Sequence, residues 1–484
     1  MSSTKYLENM QVIRKSIKDW DEIADVVIIG SGFAGLAAAI EAHNAGASII
    51  IIEKMTAPGG NSIISDGGIA AAGTAIQKKF GIKDSPDLMY RDMLKAGLGI
   101  NHPDLVREVT EKSNEVLQWS IDYLGVEYLD RVDIFGGHSV PRCYTPIEVS
   151  GSAIIKRQLL KSSELGIKVR TQTYFKTFVR DSKDRVCGIV VRRNYNYRNA
   201  DSGIDTYLRA KKAVILATGG YSSDVSFRLA QDPRLTEKID TTNKPFATAD
   251  ALKEALKIGA TPIHLSHIQL GPWASPDEKG YGVATGFSDY IVFQYGIVVD
   301  PSTSKRIVNE LADRKTVSDA ILNVGQPCIG ITDAKAVEES GWNIDRCLEK
   351  GVVKQFNHLQ ELASFYRLSY DDLKLTIDKY NRYVGNRIDG EFGKSILPNA
   401  VPITFPPYYG IRLWPKVHHT MGGVQINVRG QVIDLYQNPI KGLYAAGEAV
   451  GGIHGACRLG SCAIIDCLVF GRITGRNAAA ENIG

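Results

Sequence analysis

Cysteine is scarce and irregularly placed. The seven cysteines (Cys143, Cys187, Cys328, Cys347, Cys457, Cys462 and Cys467) form no C-x-x-C pair and no C-x-x-C-H, so covalent c-type haem is excluded. An odd, scattered set does not build a disulfide framework. Cys457, Cys462 and Cys467 recur every five residues, which does not stack them on one helix face, so they read as structural thiols and no metal site is expected. Long apolar runs are missing too. No stretch approaches the ~20 residues of a membrane-crossing helix, and residues 1–21 have no apolar core of the kind a signal peptide needs. The chain as written therefore reads as cytoplasmic, or periplasmic if a signal has been removed. Net charge is slight, +4 over 484 residues, which argues against a nucleic-acid partner while suiting small anionic ligands. A second Gly-x-Gly-x-x-Gly is also absent.

What remains is an ordinary globular composition, 44% hydrophobic and 23% charged, in a chain long enough for two or three domains. Its 47 glycines cluster in motifs. The principal one is DVVIIGSGFAGLAAAIEAHNAGASIIIIEK, Asp25 to Lys54. Val26 to Ile29 suit a buried parallel strand. Gly30-x-Gly32-x-x-Gly35 then opens an Ala-rich helix, and Ser48 to Ile52 form a second buried strand that delivers Glu53. The glycines permit a tight turn and close approach of backbone to a pyrophosphate at the helix N-terminus. Glu53, eighteen residues after Gly35, is placed to bind a ribose hydroxyl. Strand, glycines, helix, strand and acid in order predict a dinucleotide site. Gly59-Gly60-Asn61-Ser62 and Gly67-Gly68 follow too soon for another βα unit. AVILATGG (Ala213 to Gly220) and GLYAAGE (Gly442 to Glu448) are further buried-strand patterns far downstream. One domain drawing strands from both chain ends suits the longer FAD better than NAD.

Elsewhere the periodicity predicts a lead helix over 7–20, helices between 84 and 125, a helix over 153–166, and a strand meander over 168–193. Asn194 to Gly203 reads as a hairpin tip, and Pro245 to Ala260 as a helix carrying Asp250 near its start. Ile134 to Pro146 is a Gly/Pro-bearing loop that either lines a cavity or merely connects. Gln269 to Ser288, rich in Gly and Pro, reads as a domain boundary and access loop. From there to about 414, strands (Ile297–Val299, Cys328–Ile331) alternate with charged helices (Asp333–Glu339, Asp345–Lys350, Asn357–Phe365, Tyr370–Asn386), as in a separate inserted lobe.

Three segments look wrong for a core: NELADRK with Arg314, VHHTMGG with His418 and His419, and GACRLGSCAI with Arg458. Arginine forks match carboxylates bidentately and stay cationic at any working pH, so together these residues could clamp a carboxylate. With GSGFAGLAAA, PGGNSIISDGG, ATGG, GLYAAGE and GRITGRNAA in this order, the chain resembles the soluble fumarate reductase branch of the fumarate reductase–succinate dehydrogenase superfamily, flavocytochrome c type, without a haem domain. The likeness runs from about Asp25 to Ala480. It implies an α/β fold with an α+β cap: a lead helix (1–21), a Rossmann-like FAD-binding domain (22–265 and 415–484) and an inserted capping domain (266–414). It also implies reduction of the C=C bond of an α,β-unsaturated carboxylate. Arg314 is expected to donate a proton to the α-carbon, and His418 and Arg458 to bind and polarise the carboxylate. The FAD contacts it implies are Gly30, Gly32, Ala34, Gly35, Glu53, Lys54, Gly60, Asn61, Ser62, Gly67, Gly68, Thr218, Gly219, Asp250, Glu448, Ala463 and Ile464. Asn61 stands where membrane-bound relatives carry a histidine bonded to FAD, so a noncovalent flavin is expected.

The departures bear on the substrate. A histidine that binds substrate in the family's fumarate reductases is replaced by Gly271, and their Thr-Glu-x-x-Arg reads Ser288-Asp289-Tyr290-Ile291-Val292. Asp289 can preserve the acid of a proton relay, whereas Val292 cannot replace the arginine. Ser461 and Cys462 replace Gly and Asn. The expected substrate is thus a non-fumarate enoate with one carboxylate and an apolar, aromatic or heterocyclic tail, with Asp289, Tyr290, Gly271, Tyr144 and His419 as candidate contacts. Because haem, cluster and second nucleotide motifs are lacking, the electrons are expected from a separate cytochrome or other small redox protein. A flavin-dependent dehydrogenase or oxidase of ketosteroid or amino-acid type, fumarate reductase proper, and a non-catalytic electron carrier are the competing readings.

Overall fold

Residues 19–482 are described in the computed structural model. The expected lead helix lies outside the described residues, except Asp19 and Trp20, which are not helical. The first strand, β1 (Glu22–Ile29), is followed by α1 (Phe33–Asn44) and β2 (Ile49–Ile52). The β-branched residues of β1 leave nothing exposed from Val26 to Ile28, as a strand covered on both faces requires. Helices α2 (Pro86–Ala96) and α3 (Pro103–Asp122) each start on proline, whose missing N–H costs nothing in a first turn. Both bury one stripe, Met89 and Met93 on α2 and Leu105, Val109 and Val116 on α3. Next come α4 (Gly151–Glu164), β3 (Val169–Arg170), β4 (Thr173–Arg180), β5 (Val186–Arg193) and β6 (Ile204–Leu216). Residues 194–203 join antiparallel β5 and β6, as the hairpin reading expects. Helix α5 (Asp250–Lys257) is shorter than the predicted 245–260. Asp224 accepts from the Ala249 N–H and Thr248 Oγ1 donates to Asp250, so side chains hold the backbone ahead of α5 in turns.

The segment expected as a loop from Gln269 begins instead with a strand, β7 (Ile268–Gly271), whose two-residue apolar content gives no period to read. A run of α-helical and π-helical turns spans 285–295, with the π turn at Ser288–Val292. After it come β8 (Ile297–Val299), α6 (Arg314–Val324), β9 (Cys328–Asp333), β10 (Val353–Phe356) and β11 (Tyr408–Leu413). These four strands form an antiparallel sheet in the order β8-β9-β11-β10. Ile297, Ile331, Leu362, Ile377 and Tyr380 share a buried cluster there, distinct from the main core. The chain then returns through β12 (Lys416–Thr420), which pairs with β7, and through β13 (Gln431–Ile433), β14 (Pro439–Ala445) and α7 (Cys462–Ala479).

The large sheet runs β13-β14-β6-β1-β2-β3, with the β4–β5 hairpin attached through β6. Its centre is parallel: Ile28 lies opposite Ile51 on one side and Ile215 on the other, and Tyr444 lies opposite Ile215. Strands from both chain ends thus share one sheet. Helix α7 lies on α1 at close range because Gly471 and Gly475 face it. An added Cβ would stand 2.6 Å from Ala34 O and 2.2 Å from Ala38 O. Arg472 and Arg476 then grip Glu41 of α1 at 2.8 and 2.9 Å. Among the described residues, no helix is long and apolar enough to cross a membrane.

Candidate active site

The carboxyl ends of β1, β2, β6 and β14 open into one cavity with an empty volume of about 970 Å³. Gly30, Glu53, Gly219 and Glu448 come to it from the four strand ends, the place where open parallel sheets bind ligands. Gly30 has φ +104°, and an added Cβ would lie 2.3 Å from Ala217 O, so glycine is required there. Gly32, Ala34, Lys54, Gly60, Asn61, Ser62, Thr218 and Asp250 also line this cavity. No neighbour would meet a Cβ at Gly60 or Gly219, which leaves bare backbone facing open space. Glu53 is fixed by the Ser31 hydroxyl at 2.6 Å and the Met55 N–H at 3.0 Å. Lys54 and Asp250, 3.9 Å apart, flank the other end. This arrangement fits a dinucleotide: backbone amides and a helix N-terminus for pyrophosphate, an anchored carboxylate for ribose. Five expected contacts do not line it: Gly68, Ala463 and Ile464 line a second cavity beside it, whereas Gly35 packs on Gly30, whose O a Cβ would strike at 2.0 Å, and Gly67 packs on Ser150. The sequence reading missed Thr173 and, beside it, Tyr174, Phe175 and Phe246, which supply an aromatic wall to the same cavity. They come from an ordinary alternating strand and a turn, and nothing in the pattern marks them.

A second cavity, about 800 Å³ of empty volume, shares Phe33, Asn61, Ser62, Glu448 and Cys467 with the first. Arg314, His418, His419 and Arg458 all line it, together with Gly68, Ala463 and Ile464. Arg314 is the first residue of α6, which Asp313 caps by accepting the Lys315 and Thr316 N–H bonds. Its Nη2 lies 3.3 Å from Asp289, whereas its Nη1 is buried with no hydrogen-bond partner among the described residues. Arg458 gives Nη1 to Leu459 O at 3.0 Å, and its Nε is likewise unpartnered. Burial, reinforced by Arg314, pushes the Arg458 guanidinium down to about 10. Burial and both arginines also push His418 well below the usual histidine range, so its imidazole is neutral. Its Nδ1 sits 2.8 Å from Thr242 Oγ1. His419 is likewise held neutral by burial and Arg458, 3.6 Å from Glu448. Burial raises Asp289 to about 6, against the opposing pull of Arg314. Two guanidiniums with spare donors beside neutral imidazoles make a site for one carboxylate.

The loop 134–146 neither lines this cavity nor merely connects. Its Gly137 N–H donates to Leu311 O at 3.2 Å, just before Arg314, and its His138 Nε2 donates to Gly460 O at 2.8 Å, just after Arg458. Arg142 donates to His138 Nδ1 and is itself locked by Asp84 and Asp92. The loop therefore braces both arginine segments. Several expected substrate contacts stand elsewhere. Tyr144 is a core residue paired with Ile69 and bonded to Thr74 at 2.5 Å. Gly271 lies in β7, and the space beside it holds the Trp273 indole. Asp289 reaches the cavity through Arg314 alone, and Tyr290 faces an adjoining outer cleft, its hydroxyl donating to Asp66 at 2.8 Å. Trp273, Tyr281, Asp66 and Thr242 line the reaction cavity, yet sequence reasoning missed them. Asn61 is engaged by Asn243 at 2.6 Å and by the Lys244 N–H at 2.8 Å.

The chain is similar to known proteins along most of its length. The family described as "FAD binding domain" matches residues 25–464. The acrylate reductase flavoprotein subunit of Shewanella woodyi is 43% identical over 465 residues, covering 94% of this chain and 91% of that protein. Urocanate reductase of Eggerthella lenta is 33% identical over 490 residues, covering 99% and 78%. Among solved structures, the open conformation of a flavocytochrome c3 fumarate reductase superposes with a TM-score of 0.76 at 32% identity, covering 99% of this chain and 81% of that one.

Proposed function

The chain belongs to the FAD-binding flavoproteins of the fumarate reductase type, and from that premise we propose that it reduces the C=C bond of a 2-enoate. It is an FAD-dependent oxidoreductase. The observation that carries the substrate reading is the meeting of Arg314, Arg458 and neutral His418 in one cavity that adjoins the dinucleotide cavity. The relatives named for acrylate and urocanate reduction, both unsaturated carboxylates, support it.

Gly30, Gly32, Glu53, Lys54, Gly219 and Asp250 would hold the FAD, and its isoalloxazine end would face Asn61, Ser62, Glu448 and Ala463. Reduced FAD supplies the hydride. Arg458 and His418 hold the substrate carboxylate and stabilise the negative charge that grows toward it, which lowers the barrier more than it stabilises the ground state. Arg314 carries the proton for the α-carbon. A guanidinium seldom releases one, but a nascent carbanion is basic enough to take it. Asp289, 3.3 Å from Arg314, then returns the proton. We read 266–414 as a cap inserted in the FAD-binding domain, closing on the site to exclude water. The electron donor is a separate redox protein. Dithionite-reduced viologen with a panel of enoates tests the reading: steady oxidation of viologen with at least one enoate is expected. No turnover with any enoate, or rapid steady turnover with oxygen as acceptor for an amine or steroid, refutes it.

A further inference from the structure

We propose that Trp273, braced by Tyr281, sets the size and charge of the substrate and restricts the site to short 2-enoates with a single carboxylate. This rests on the enoate reading above. Trp273 is 1% exposed, and its Cζ2 lies 3.0 Å from where a Cβ on Gly271 would stand, so the missing side chain at Gly271 makes room for the indole. The ring meets His418 edge-on, with centroids 5.0 Å apart at 81°, and Arg314 Cζ lies 5.9 Å from it. Tyr281 packs against the same indole at 5.3 Å and lines both the reaction cavity and the outer cleft, at the throat between them. A large, rigid, apolar wall thus stands beside the groups that face the substrate.

Charge tells the same story. The cations lining the cavity are Arg314 and Arg458, and Asp289 already takes one nitrogen of Arg314. One carboxylate would take up these two guanidiniums, whose Arg458 Nε and Arg314 Nη1 are buried without a partner among the described residues. A second would meet Trp273, Tyr281 and Asp66 with no cation left. An unpaired buried charge is rejected far more strongly than an extra methylene. Of the tails the sequence allows, this wall would exclude the bulky aromatic ones.

The test uses the FAD-loaded full chain and reduced viologen, comparing kcat/KM for propenoate, 2-butenoate, trans-cinnamate and fumarate. Wild type should favour propenoate over cinnamate and fumarate by roughly a hundredfold or more. Trp273→Ala should lose activity with propenoate yet gain with cinnamate, moving that ratio by at least about tenfold. Trp273→His, which introduces a polar group beside Gly271, should move the fumarate ratio in the same sense. Flavin content, read from the visible spectrum, confirms folding of each variant. If Trp273→Ala fails to hold FAD, Trp273→Phe and Tyr281→Phe with the wild-type panel decide. Wild type that reduces cinnamate or fumarate as well as propenoate, or ratios unmoved by the Trp273 variants, overturns this inference and leaves the enoate reading standing. Reduction of none of the four, with no flavin spectral shift on adding them, overturns this inference, and the enoate reading falls with it only when the wider enoate panel is also left unreduced.

Discussion

Arg314 and Arg458 face the same cavity but differ in what they give up there. Arg314 is already paired with Asp289, whereas Arg458 has only a carbonyl partner and an unpartnered Nε. Arg314→Ala should therefore abolish turnover while flavin content and substrate-induced spectral shifts survive. Arg458→Ala should weaken those shifts by roughly 2–5 kcal/mol, the cost of leaving a carboxylate without its bidentate partner. Retention of about a tenth or more of the turnover in Arg314→Ala, only ~1.4 kcal/mol of barrier, would place the proton donor elsewhere. A pH profile tests the refilling step. Burial raises Asp289 to about 6, so its acid form, the one that can hand a proton to Arg314, falls tenfold per unit above that pH. Turnover should decline as pH rises from 6 to 8, and Asp289→Asn should be slow and flat across the same range. A wild-type rate that is level from 6 to 8 would remove Asp289 from the relay. The arginines and His418 were legible in the sequence because charged residues beside Gly turns contradict a core. Trp273 and Tyr281 were not, since aromatics scattered through a Gly/Pro-rich stretch carry no period, and Tyr144 misled because a buried tyrosine satisfied by Thr74 looks polar in sequence.

The helix pair α1 and α7 fixes where both cavities sit. α1 begins at the dinucleotide-sized cavity, just after Gly32, and α7 begins beside Ala463 and Ile464 of the second cavity. Their spacing depends on Gly471 and Gly475 meeting the α1 backbone, with no flexible side chain there to yield. Gly475→Ala should cost about 1–3 kcal/mol by overpacking and weaken FAD binding with it. Gly385→Ala is the control. It lies in the helix Tyr370–Asn386 with nothing within 4 Å of its added Cβ, so it should be neutral or stabilising by up to about 1 kcal/mol. Urea midpoints and FAD titrations of the two variants check this; equal behaviour would mean that α7 can shift without consequence. The parallel strands were readable because buried β-branched runs leave no alternative, and the helix Tyr370–Asn386 because seventeen residues hold one period. The π turn at 288–292 was not readable. All five of its residues are buried, so it shows no amphipathic stripe, yet it is the element that brings Asp289 to Arg314.

Sheet order ties the two ends of the chain together through one ligand site. β1 and β2 come from the N-terminal part, β14 and α7 from the C-terminal part, and the lobe carrying Arg314 is threaded between them. FAD bound across those strand ends would bridge segments some 400 residues apart, Gly30 to Glu448, so its loss should loosen the whole molecule. Ligand binding to the folded state alone adds RT ln(1 + [L]/Kd), about 2.7 kcal/mol at a hundred times Kd. The thermal midpoint should therefore climb with added FAD after flavin is stripped. Stripping is possible only if no covalent bond exists. Asn61, held by Asn243 and Lys244, offers neither an imidazole nor a thiolate to flavin. Acid precipitation should then leave yellow flavin in the supernatant. Glu53→Ala removes a carboxylate that Ser31 and the Met55 N–H hold in place for a ribose, so this variant should need more FAD for the same midpoint, by about 1–3 kcal/mol of binding. Flavin staying with the pellet would refute the noncovalent assignment. A midpoint indifferent to added FAD would mean that the shared sheet and the α1–α7 packing hold the two chain ends together without the ligand.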